Sequence, residues 1–178
     1  IIKALKAAGN RVLSVIAGRS KDLVIMEDEV RASSDELIIM TDDGSYGEKG
    51  VVTVGIEKLI NQEHIDKVFA IGPPIMMKFC CLMAQKYNVP TDVSLNTIMV
   101  DGTGMSGAFR LTIGGKTKIV CIDGPEFDGA LVDWDEMFKR MGTFKDAERE
   151  EMEHFEEHLA SVEANKKKET TGVVMDVE

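Results

Sequence analysis

Short apolar runs alternate with amphipathic segments over the first hundred residues of the chain. Ile1, Ile2, Leu5 and Ala8 share one side of a helix with lysines between them, and Gly9 and Asn10 stop it. Residues 12–17, apolar except for Ser14, read as a buried strand and end at Gly18, Arg19 and Ser20. Helical spacing returns over 21–32. A second strand is predicted over 37–40, with a polar turn, 41–47, at its carboxyl end. A helix over 54–62, a strand over 67–71, a helix over 73–87 with proline in its first turn and a strand over 92–99 complete the series. Short strands alternating with helices predict parallel βα units, so the expected fold class is α/β with a doubly wound parallel sheet. Such sheets bind ligands at the carboxyl ends of their strands. Here those ends carry Gly18, Arg19 and Ser20, then Asp42, Asp43, Ser45 and Tyr46, then Gly72 and Pro73.

The pattern changes at residue 99. Glycines crowd positions 102, 104, 107, 114, 115 and 124, a density that makes the backbone turn tightly or approach something closely. Residues 110–113 and 116–122 alternate around Gly114 and Gly115, which predicts a hairpin with Cys121 on its second strand. A short helix over 133–141 follows, with Trp134 expected to pack on the hairpin. Residues 145–165 predict a charged helix with one narrow stripe, Met152, Phe155, Leu159 and Val162. Two turns of heptad register are too short for a coiled coil, so the stripe is expected to dock on this chain or on a partner subunit. His154 and His158 lie four apart and could share a metal, although the interleaved glutamates favour a solvated face. Residues 170–178 are expected to be a disordered tail.

The glycine-rich stretch, with VDGTGMSGAFR at 100–110 and DGPEFD at 123–128, resembles a small iron-sulfur domain. It is that of the alpha subunit of NADH-dependent ferredoxin:NADP oxidoreductase, also called sulfide dehydrogenase subunit beta, and of the related dihydroorotate dehydrogenase electron-transfer subunit. In that family an aspartate and three cysteines hold a [2Fe-2S] cluster. The resemblance carries the aspartate onto Asp101 and the cysteines onto Ser106, Phe109 and Cys121, so only Asp101 and Cys121 match. Serine is a poor substitute for a thiolate and a phenyl ring cannot donate to iron. The module is therefore expected to fold without a normal cluster, with Phe109 filling its volume. A different metal held by Asp101, Cys121 and a further ligand is the weaker alternative.

The three loops at the strand ends resemble, in order, those of the pyridine-nucleotide domain in the ferredoxin reductase family. The resemblance implies NAD(P) near Gly18, Arg19, Ser20, Asp42, Ser45, Tyr46, Gly72 and Pro73, and FAD on a separate barrel domain that precedes this one in the family. Arg19 reads either as a contact to a ribose or 2′-phosphate or as a surface charge. Asp42 and Asp43 cap the loop or touch ligand, and Tyr46 packs or stacks. In the family this domain opens with a central strand and a glycine turn that meets the pyrophosphate. The present sequence begins inside the first helix, so it is expected to be a fragment, inactive alone. A gap in mid-sheet would leave two unpaired edges. It is expected to close by rearrangement or by pairing with another copy. The organisation expected is a nucleotide-binding domain over 1–98, the degenerate [2Fe-2S]-type module over 99–143, and a helix and tail over 144–178.

Composition narrows this picture further. The 178 residues are 44% hydrophobic, a globular value. A net charge of −10 argues against a nucleic-acid partner. Three cysteines, two of them adjacent, form no secreted-type framework, and no apolar run reaches the roughly 18 residues that cross a bilayer. A cytoplasmic protein is expected. No nucleophile, acid–base pair or phosphate loop stands out, which suits hydride transfer, where the cofactor performs the chemistry. The function expected is electron transfer between NAD(P)H, FAD and an iron-sulfur partner. The alternative is a non-catalytic assembly subunit of the same family.

Overall fold

The computed structural model describes residues 1–98, 103, 105 and 107–172. Asp101, Ser106, the last residue of the expected 92–99 strand and most of the expected tail lie outside the described residues. The chain divides into two compact units, Ile1–Trp134 and Asp135–Glu178.

In the first unit the order is α1 (Ile2–Ala7), β1 (Leu13–Gly18), α2 (Glu27–Ser33), β2 (Glu36–Thr41), β3 (Glu48–Lys49), α3 (Val52–Gln62), β4 (Val68–Ala70), α4 (Pro74–Lys86), β5 (Thr91–Ser94), β6 (Arg110–Ile113), β7 (Lys116–Ile119), α5 (Val120–Asp123) and β8 (Glu126–Asp128). β1 pairs with β2 in parallel, from Leu13 opposite Glu36 to Gly18 opposite Thr41, and β3 adds two parallel pairs beyond β2. β4 pairs with β5 in parallel, and β8 runs antiparallel on the other side of β5. β6 and β7 form the expected hairpin around Gly114 and Gly115.

The parallel α/β character therefore holds. The strands nevertheless lie in two three-stranded sheets, β1-β2-β3 and β4-β5-β8, rather than in one. Among the described residues nothing pairs with the outer edge of β1 or of β4.

Side-chain alternation along a strand sets the two faces of the first sheet. Ile38 and Met40 of β2, with Leu13 and Val15 of β1, pack on Leu59 of α3. A Cβ at Gly55 would come within 2.8 Å of Val15, so α3 lies tight against this face. Ser14 points the other way, and its hydroxyl meets that of Ser34 at the end of α2 at 2.7 Å. Helices thus flank both faces of this sheet. In the second sheet α4 buries Met77, Cys80, Cys81 and Ala84 while Ile75, Phe79 and Leu82 lie exposed.

The strand starts are tied by Asp35, whose carboxylate accepts from Lys6 Nζ at 2.5 Å and from the Val12 amide at 2.8 Å. The Lys6 bond first, then the Val12 amide, holds its pKa below the ordinary value. Because the folded pKa is the lower one, the contribution is full above about pH 4, the unfolded value, and fades as pH falls through the folded one. Asp35→Asn should lower stability at neutral pH and flatten the acid limb of the stability curve. Urea melts across pH test this. Parallel acid limbs in the two proteins would refute it.

Four local expectations are corrected. The helix expected over 21–32 is a 3-10 turn, Lys21–Leu23, followed by α2. Met26 sits at φ +58, and the helix starts after it, where Glu27, Asp28 and Glu29 fill the first turn and suit its dipole. The strand expected over 92–99 ends at Ser94, and the Leu95 amide turns to the Pro125 carbonyl. Cys121 is not on the hairpin: β7 stops at Ile119, and Asp123 Oδ2 accepts the Ile119 amide at 2.7 Å across the single turn of α5. The fourth is β8, an antiparallel strand where none was expected. Trp134 donates its indole N–H to the Gly129 carbonyl, while Gly114 and Asp133 bond residues 131 and 112, which joins the segment after β8 to the hairpin.

The second unit contains most of α6 (Trp134–Met141) and all of α7 (Lys145–Gly172), longer than expected at its carboxyl end. Met152, Phe155 and Leu159 are exposed along α7. Among the described residues no trio of histidine, cysteine or carboxylate could hold a metal, so His154 and His158 gather no third ligand.

Candidate functional site

The carboxyl ends of β1 and β2 are zipped together beyond the strands themselves. Asp42 and Asp43 donate their amides to the carbonyls of Gly18 and Arg19, at 3.1 and 3.2 Å, extending the ladder into the loops. The Lys21 amide donates to Ser45 Oγ at 2.9 Å. Ser45 in turn donates its hydroxyl and its amide to Asp43 Oδ1, at 2.6 and 2.9 Å, an Asx turn whose two donors hold the Asp43 carboxyl below its usual range. At the root of the second loop, Thr41 Oγ1 donates to the Tyr46 carbonyl at 2.6 Å and accepts the Tyr46 amide at 3.1 Å. Thr41 is fully buried. The loop is thereby bolted to the sheet.

Tyr46 is held on two sides. Its hydroxyl donates to Glu27 Oε2 at 2.9 Å, and the Lys21 ammonium lies 5.4 Å from the ring centroid. Glu27 also takes Arg31 at 2.7 Å, and these bonds, Arg31 first, lower its pKa while the carboxylate raises that of the phenol. Arg19 is exposed and, among the described residues, makes no side-chain hydrogen bond or ion pair.

Gly18, Arg19 and Ser20 are thus brought together with Asp42, Ser45 and Tyr46. Gly72 and Pro73 are placed elsewhere, after β4 in the second sheet, where Pro73 caps α4 and Gly72 takes φ +154. No hydrogen bond among the described residues joins them to the first two loops. Sequence reasoning passed over Lys21, whose amide and ammonium both bind the second loop. The available signal was Asp43 two residues before Ser45, the spacing of an Asx turn.

In the glycine-rich module, Gly107 takes φ +62 and its carbonyl accepts both the Arg110 amide and Arg110 Nη1, which fixes the turn into β6. Phe109 follows in that turn, 1% exposed, and its carbonyl accepts the Val120 amide beside Cys121. Cys121 is a free thiol of intermediate exposure. Asp101 and Ser106 lie outside the described residues, so of the four positions implied for a cluster the structure shows one thiol and one buried phenyl ring. That pair does not fit a [2Fe-2S] cluster.

Residues 96–133 match the family described as the iron-sulfur cluster binding domain of dihydroorotate dehydrogenase B. A homolog of the dihydroorotate dehydrogenase B (NAD(+)) electron transfer subunit from Thermotoga maritima is 52% identical over 155 residues, 87% of this chain and 55% of the relative. This chain is a homologue of those electron transfer subunits. A probable electron transfer subunit of the same kind from Methanopyrus kandleri is 36% identical over 71% of this homologue and 47% of its own length. Among solved structures, the homologue matches a chain from work on flavin-based electron bifurcation by the NADH-dependent reduced ferredoxin-NADP oxidoreductase. The TM-score is 0.77 at 51% identity, over 86% of this chain and 55% of that one. It spans about half the length of the curated relatives it matches.

Proposed function

We propose that the chain is the nucleotide-binding part of an NAD(P)-dependent flavoprotein electron-transfer subunit, with residues 1–98 as the nucleotide domain, 99–143 as the module and 144–178 as a helical extension. The observation that carries this reading is the zipped pair of loops at the carboxyl ends of β1 and β2, which presents Arg19 free beside Lys21. An anion, a ribose phosphate or pyrophosphate, suits two cations on a rigid loop. A bound nicotinamide nucleotide supplies the hydride chemistry. The residues here hold and orient it: Ser45 and Asp43 set the loop, Thr41 anchors it, and Arg19 meets the ligand. FAD belongs to a part of the protein outside this chain. Gly72 and Pro73 join the site when the two sheets act as one doubly wound sheet, with a strand between β1 and β4 supplied by the intact protein or by a second copy.

The exposed Ile75, Phe79 and Leu82 on α4 offer an apolar surface for a partner oxidoreductase subunit. Three free cysteines suit a cytoplasmic setting, and the acidic charge disfavours nucleic acid. No described helix is long and apolar enough to cross a membrane. A second reading, a non-catalytic assembly subunit, is favoured by one observation, the buried phenyl ring at Phe109.

Titrating NADH, NADPH and ADP-ribose into the protein with its natural flanking sequence tests the first reading. Arg19→Ala should weaken all three by about tenfold, the value of one charge-assisted hydrogen bond of roughly 1.5 kcal/mol. Unchanged affinity in the variant would remove Arg19 from the site. Failure of all three ligands to bind would leave the assembly reading.

A further inference from the structure

The span 96–133 matches a cluster-binding domain yet contains a single cysteine, Cys121, and no histidine. A [2Fe-2S] cluster takes four protein ligands, most of them thiolates, and the span offers one thiol where the resembling family has three. Oxygen donors suit harder cations. Two described carboxylates of the span are also engaged elsewhere: Asp123 holds the Ile119 amide and lies 3.6 Å from Lys118, and Asp128 caps the Ala130 amide. The other two cysteines offer no rescue. Cys80 and Cys81 are buried on α4, with Cys81 packed so closely on Gly129 that an added Cβ there would lie 2.2 Å from its sulfur. Burial pushes their thiols up to about 11 and about 12, so both stay protonated at neutral pH.

The interior of the module is hydrocarbon. Phe109, Leu111, Ile113, Val120 and Val132 are all buried. Leu111 and Ile113 share one face of β6, and Ile113 forms an isolated antiparallel bridge with Val132 in the segment after β8. These residues supply the packing that would make bound iron unnecessary for folding.

We infer that this module is a cluster-free packing unit, built around Phe109, in a chain whose relatives carry the cluster-binding domain. The consequence, that electrons do not leave through this module, rests on the electron-transfer reading above; the absence of the cluster does not. The test is iron and acid-labile sulfide per chain, after anaerobic purification and after reconstitution with ferrous iron and sulfide, with thermal melts before and after a strong chelator. The expected result is no sulfide, no iron that survives the chelator, and an unchanged melt. Iron without sulfide, removed by the chelator, is adventitious and agrees with the inference. About two iron and two sulfide per chain, resistant to the chelator and bleached by Cys121→Ser, would overturn it. Titrating NADH into the same preparation reports on the electron-transfer reading separately, since nucleotide affinity and iron content are independent readouts.

Discussion

Gly47→Ala should destabilise the first unit by about 3 kcal/mol, a large part of the roughly 5–15 kcal/mol that holds a domain together. Two costs add at this position. Gly47 sits at φ +65, in the left-handed region where an L side chain costs roughly 1–2 kcal/mol. An added Cβ would also lie 2.2 Å from the Ile39 carbonyl oxygen and 2.8 Å from its carbon. Those atoms are backbone of β2 and cannot rotate away. Relief requires moving the strand or the loop, and the loop carries Tyr46, Ser45 and the bond to the Lys21 amide. The variant should therefore lose nucleotide affinity along with stability. Gly44→Ala is the control: φ is +77 there too, but the nearest atoms, at 3.1–3.2 Å, belong to the flexible Lys49 side chain. It should cost only about 1 kcal/mol. Equal losses for the two variants in urea melts would mean that the overlap with Ile39 is relieved cheaply and that the loop is not clamped.

The alternation of strands and helices was legible because parallel strands covered on both faces leave largely apolar runs, as at 12–17, where Ser14 is the one polar residue. The hairpin was legible because Gly114 and Gly115 both take positive φ, at 59° and 75°, as its two-residue turn demands. What was missed had no local signal. β8 is three residues long with one apolar side chain, and becomes a strand only because β5 offers an edge. β3 is two residues and owes its pairing to Met40 and Thr41 opposite. Residues 21–32 show helical periodicity, but Leu23, Ile25 and Met26 are exposed, so the apolar stripe that suggested one helix has no core to face. In the site, the strand-end positions were readable from topology alone. The links between the loops were not, because they run through backbone amides and a serine hydroxyl.

The same contrast between pattern and packing decides the last prediction. Phe109→Ala should cost about 3–5 kcal/mol, the usual penalty for emptying a fully buried phenylalanine site. In a thermal melt this is a drop of roughly 6–20 °C for a chain of this size. Phe109 is 1% exposed and lies in the turn just before β6, whose buried Leu111 and Ile113 belong to the module's interior, so its truncation opens a hole in buried hydrocarbon. Phe109→Leu, which keeps most of the volume, should cost roughly 1–1.5 kcal/mol. Cys121→Ala removes a partly exposed sulfur and should cost less than about 1 kcal/mol. That ranking inverts what a metal-organised module would show, where the loss of a ligand thiolate removes the metal's contribution to folding. A module held by iron would depend on Cys121 and tolerate change at residue 109. A module held by hydrocarbon depends on Phe109 and tolerates change at Cys121, because its stability comes from area removed from water, and here the ring buries far more of it than the thiol.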